Sequence, residues 1–125
     1  MKKIIGTNFL IDIYNVDEQF LKRKFLLDLI KALTKITKSK PVGKPIVKKI
    51  FSPEHFFPGY SILQIIQESH IIFHTWLEYN YLAIDIFSYK GIQSREIINF
   101  LEKKLNKRIK IKIKEYKRVA IVLIK

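Results

Sequence analysis

At 125 residues and 48% hydrophobic, the chain suits one small domain with a modest core, so burial against a second subunit is a reasonable expectation. The absence of cysteine excludes disulfides and thiolate chemistry, and no apolar run approaches the roughly 20 residues that span a bilayer. The formal charge of +13 would attract nucleic acid or acidic membrane surfaces, but its distribution favours a blander reading. Lys110, Lys112 and Lys114 alternate with Ile109, Ile111 and Ile113, as on a strand with one solvated and one buried face. The exposed aromatics that a nucleic-acid stacking platform requires are scarce among them. Lys2 and Lys3 lead into an alternating segment broken by Asn8 and Asp12, not into the apolar core of a signal peptide. A cytoplasmic protein is the expectation.

The first strand carries Ile5, Thr7, Phe9, Ile11 and Ile13 on one face and Asn8, Asp12 and Tyr14 on the other. Asp17 is placed to cap a helix with Phe20, Leu21, Phe25, Leu29 and Leu33 at helical spacing, ending before Lys38 to Lys44, where Pro41 and Gly43 break it. Ile46 to Phe51, Tyr60 to Gln67, His70 to Trp76 and Leu82 to Ser88 read as strands between turn residues Pro53, Pro58, Gly59 and Asn80. Ser94 is expected to cap a second helix containing Ile97, Leu101 and Leu105, with Asn106 as its stop. Arg108 to Tyr116 and Val119 to Ile124 close the chain as strands. The last is apolar on both parities, which predicts burial on both sides, within the chain or at an interface. This order predicts an α+β two-layer sandwich, a largely antiparallel sheet with two helices packed on one face.

The run from Glu68 to Trp76 sets a serine directly after a glutamate and five residues before His74. A serine hydroxyl can attack the carbonyl of its own preceding residue and turn the amide into an ester, if a base and hydrogen-bond donors hold the intermediate. Elimination from that ester leaves a ketone-bearing pyruvoyl group in place of the serine. By spacing alone, the same residues also read as a strand serine and histidine whose polar atoms are merely satisfied.

The segment ESHIIFHTWLE, Glu68 to Glu78, resembles the ESHxxxHTWPE signature of the small prokaryotic S-adenosylmethionine decarboxylase proenzymes. Gly6 to Tyr14 resembles that family's GxHLxxDxY opening, with Asp17 where its first helix begins. Phe56, Pro58, Gly59 and Ser61 resemble the segment leading to the processing serine, with one residue fewer between proline and serine. Ala83 to Ser88 is similar to the AxDxFT strand. Almost the whole chain is covered in order.

The resemblance implies cleavage between Glu68 and Ser69 within a single domain spanning 1–125, giving chains 1–68 and 69–125. Ser69 would become a covalent pyruvoyl group, with no metal or separate cofactor. Ser61 and His74 match the hydroxyl and imidazole that assist processing. A Schiff base with the substrate amine then makes the ketone an electron sink for loss of carbon dioxide. The cysteine that protonates the product is replaced by Tyr89, a bulkier and weaker acid. Asn8 stands in place of a histidine and Leu77 in place of a proline. The substrate is expected to be S-adenosylmethionine, with Phe56 as a stacking face and Glu78 for the ribose hydroxyls. Arginine or ornithine, used by relatives, would instead draw on Asp85, Asp12 or Glu78 for the distal cation. The family's sandwich pairs into homodimers and serves polyamine, including spermidine, synthesis. Two other readings stand beside this one: a non-catalytic relative acting as a regulatory subunit, and a basic nucleic-acid-binding module.

Overall fold

A computed structural model describes residues 1–51, 53, 58–67 and 69–123. Phe56 and Glu68 therefore lie outside the described residues, as do positions 124 and 125. Alternating apolar residues build six strands: β1 (Lys2–Tyr14), β2 (Ile46–Ile50), β3 (Gly59–Ile66), β4 (Ser69–Trp76), β5 (Tyr81–Ser88) and β6 (Lys110–Ile121). They form one sheet in the order β2-β3-β4-β5-β1-β6, each neighbouring pair antiparallel. Two helices, α1 (Arg23–Ile36) and α2 (Ser94–Lys104), cover one face, as the alternation predicts. Leu26, Leu29, Ile30 and Leu33 of α1 and Ile97 and Leu101 of α2 pack on Phe9, Ile11, Ile13, Ile62, Ile66, Ile71, Phe73, Leu82, Ile84 and Ile86. These sheet residues share one parity on each strand, so the core lies between sheet and helices. No described helix is long and apolar enough to cross a membrane.

Three local expectations are corrected. Asp17 does not cap the long helix: it precedes a 3-10 turn (Glu18–Leu21), has no side-chain capping bond, and α1 begins only after the extended Lys22. Ser94 is the first residue of α2 rather than its cap, because its hydroxyl is drawn away to the Glu115 carboxylate on β6. Asn106 follows the helix end at Lys104 and joins the β1 exit instead, donating to the Asn15 carbonyl (2.9 Å) and accepting from the Asp17 amide (2.9 Å).

The C-terminal correction is larger. A single strand β6 replaces the two expected, and its last residues pair only with Lys2–Ile4, beyond the point where β5 ends opposite Thr7. Among the described residues no third strand flanks that ribbon, so within one chain Ile121 is 70% and Leu123 83% exposed.

Two glycines permit close approach across strands. A Cβ on Gly6 would stand 2.6 Å from the Phe87 ring, and one on Gly59 would stand 2.5 Å from the Thr75 carbonyl oxygen. Gly59 lets β3 start tight against β4, where the Tyr60 amide donates to the Thr75 hydroxyl (2.8 Å). Gly6 lets Phe87 lie over β1 on the face that the helices leave open, with Arg118 4.9 Å from its ring centroid.

Candidate functional site

Strand alternation sends His70, Ile72, His74 and Trp76 of β4 to the open face, while Ile71, Phe73 and Thr75 enter the core. Register then chooses their neighbours. Ser61 on β3 is directly opposite His74, and its Oγ lies 2.8 Å from His74 Nδ1. On the other side of His74 come Ala83 and then Asp12. The next row holds Trp76, Tyr81 and Tyr14, with ring centroids 5.3 Å apart for the first pair and 5.4 Å for the second. Glu78, half-buried in the 3-10 turn Leu77–Tyr79 that follows β4, belongs to this same end of the sheet.

The Tyr81 hydroxyl donates to the Asp12 carboxylate. Burial first, then that hydrogen bond and the Asp12 charge, and last the neighbouring Tyr14 hold the phenol well above its ordinary range. A phenol that resists ionisation when folded weakens the fold once the unfolded chain can ionise. Stability is therefore full below the unfolded value near 10 and declines as pH rises above it. Tyr81→Phe should remove that decline, so the variant gains relative to the parent chain between about pH 8 and about pH 10.5, as read from urea midpoints.

The opposite end of β4 begins at Ser69, which has the parity of the core residues. It is the first residue of β4, half-exposed, with its hydroxyl donating to the Gln67 carbonyl (3.2 Å). His70 faces Phe87 across the ladder and leans diagonally to Asp85, Nε2 to Oδ1 3.5 Å. From the far side of Phe87, Asn8 leans to the same carboxylate, its Nδ2 donating to Asp85 Oδ1 (2.7 Å) and to the Ile86 carbonyl (3.2 Å). Tyr89 follows the end of β5, 38% exposed, with the Lys90 ammonium 5.0 Å from its ring centroid.

The predicted residues thus fall into two groups. Ser61 and His74 are brought together, with Glu78 near their end, while Ser69, Asp85 and Tyr89 gather at the other. His74 stands five residues along β4 from Ser69, about 17 Å at the usual strand rise, and on the opposite parity. One chain does not bring its own Ser61 and His74 to its own Ser69. Sequence reasoning missed His70 as Asp85's partner and Tyr81 as Asp12's; shared parity within β4 and β5 was the available signal. Between the two groups the face is apolar, with Leu10, Ile46, Ile50 and Ile65 exposed and Leu63, Ile72 and Phe87 half-buried. Among the described residues, no three histidine or carboxylate side chains gather as metal ligands would.

A family model for S-adenosylmethionine decarboxylase matches residues 7–119. The chain is 35% identical over 121 residues to an S-adenosylmethionine decarboxylase proenzyme of Clostridium botulinum strain Langeland, covering 95% of this chain and 98% of that one. It is 32% identical over 103 residues to the proenzyme of that name from Clostridium tetani, covering 82% and 78%. The crystal structure of the adenosylmethionine decarboxylase from Aquifex aeolicus superposes with a TM-score of 0.67 over 90% of each chain at 23% identity, a likeness of fold.

Proposed function

The chain belongs to the S-adenosylmethionine decarboxylase family, and from that membership we propose that it is a self-processing, pyruvoyl-dependent decarboxylase of polyamine synthesis, cut between Glu68 and Ser69. The observation that carries this reading is the Ser61–His74 contact at 2.8 Å: a hydroxyl and an imidazole poised for proton exchange on the sheet face that the helices leave open. Ser69 suits the precursor role, since its hydroxyl already lies against the backbone of the segment it would attack. The pyruvoyl group, once made, supplies an electron sink for decarboxylation.

The distance between the two groups supports a homodimer with composite sites. A two-fold axis standing on the middle of the open face carries the Ser69 end of one copy onto the Ser61–His74 end of the other. It also covers the exposed apolar residues between them, which a lone chain leaves in water. In this arrangement Ser61 and His74 of one copy serve Ser69 of its partner.

S-adenosylmethionine is the favoured substrate over arginine or ornithine. That substrate is the one named by the family model and by the proenzymes that the chain resembles. A processed but non-decarboxylating partner subunit is the second reading, favoured by Tyr89 lying beneath Lys90 where the family has a thiol. Intact mass of the purified protein tests processing: two fragments divided at Ser69, the second with a ketone in place of its amine, are expected. Carbon dioxide release from labelled S-adenosylmethionine, with arginine and ornithine inert, is the expected second result. A cut chain inert to all three would select the partner-subunit reading.

A further inference from the structure

We propose that His70, held by Asp85, is the acid–base group at the Ser69 end of the site and delivers the product proton in place of the absent thiol; this rests on the pyruvoyl reading above. His70 is bonded directly to residue 69; its imidazole projects to the open face, and the ketone carbon of a pyruvoyl group would be the former α-carbon of residue 69, one residue before it. With Nε2 turned to Asp85 Oδ1 at 3.5 Å, the Nδ1 edge is the one left to face a substrate. Asp85 cannot swing away, because Asn8 grips the same oxygen at 2.7 Å and is itself tied to the Ile86 carbonyl at 3.2 Å.

Both departures at this end of the sheet point to His70. Asn8 replaces a second imidazole that would compete for Asp85; its amide nitrogen, which donates to the carboxylate, does not exchange protons as an imidazole does. Tyr89 replaces the thiol with a phenol that follows the strand end, its ring paired with a lysine ammonium. Of the groups here, the imidazole has two nitrogens, one to face a carboxylate while the other gives or takes a proton, and Asp85 lies against the first.

The step balances as follows. Loss of carbon dioxide leaves an electron pair on the substrate carbon. That pair forms a C–H bond with the Nδ1 proton of the His70 imidazolium as the N–H bond breaks. Neutral imidazole remains, keeping its Nε2–H towards Asp85 Oδ1, and a proton from solvent restores the cation. Should the proton go instead to the former α-carbon of residue 69, hydrolysis releases the substrate as an aldehyde and leaves its nitrogen behind, turning residue 69 into alanine.

The partition between these two fates is the test, read by mass as the fraction of chain 69–125 that begins with alanine after a fixed number of turnovers of the processed full-chain protein. Asp85→Asn keeps His70 and the cleavage site but loosens the imidazole, and should lower the turnovers per inactivation about tenfold. His70→Gln should lower them about 100-fold. A purely structural role would change folding or rate without moving the partition. Tyr89→Phe is the competing arm: a shift in partition there with none in the other two overturns the proposal. An unmoved partition in all three overturns it as well. An unaltered chain that stays whole before substrate is added strikes the pyruvoyl reading and this proposal together, whereas a cut chain with an unmoved partition strikes this proposal alone.

Discussion

Ser69→Ala should leave the protein as a single species of full mass, 14.9 kDa, after any incubation in which the parent chain is cut. The methyl group cannot attack the carbonyl of residue 68, so neither the ester nor the elimination that follows can form. Misfolding would not account for the result. The Ser69 hydroxyl makes a hydrogen bond to the Gln67 carbonyl at a half-exposed position, and losing such a bond costs about 0.5–1.5 kcal/mol. The variant should therefore unfold cooperatively, at a denaturant midpoint close to that of an uncut parent. Fragments from the Ser69→Ala chain, or an uncut parent, would end the self-processing reading.

The second large effect needs two chains. His74→Ala alone should also stay whole, because its copies lack the imidazole that assists processing. Co-expressed with Ser69→Ala, however, it should be cut. The Ser69→Ala partner still carries Ser61 and His74 at the far end of its open face, and the proposed two-fold axis sets these against the intact Ser69 of the other copy. At equal amounts and random pairing, about half of the His74→Ala chains meet such a partner, so about half should be cut, and no Ser69→Ala chain should be. If the five-residue separation along β4 were instead bridged within one copy, the mixture would contain no cut chain. Mass spectrometry with one chain isotopically labelled separates the outcomes.

Period-two alternation made β1, β3, β4 and β5 legible in the sequence, and helical spacing revealed both helices. Exposure at the chain's end was not legible, because parity tells which residues share a face but not whether anything covers it. Val119 and Ile121 belong to a ribbon that outruns β5, and that depends on strand lengths elsewhere. Asp17 misled for a related reason: a capping residue type does not determine whether the next turn is 3-10 or α. In the site, Ser61 and His74 could be read from the motif that they resemble. The His70–Asp85–Asn8 cluster could not, because it arises from diagonal contacts across three strands whose register no spacing reveals. Strand rise and parity within β4 separate His74 from Ser69, which the motif sets only five letters apart.

The strand order has its own consequence for a chain broken between 68 and 69. The first piece would own β1, β2 and β3, the second β4, β5 and β6, and β1 lies clasped between β5 and β6. The halves would be plaited, each supplying strands that the other needs for its hydrogen bonds. Cutting must then follow folding, since neither half has a complete sheet to fold around. Once cut, the two pieces would hold together without a covalent link, but an unfolded molecule would have to find its other half by collision. Refolding that the whole chain achieves at any dilution would become dependent on concentration. Activation would thus be a one-way passage: the assembled pair persists, while a pair once lost at cellular dilution is not easily remade.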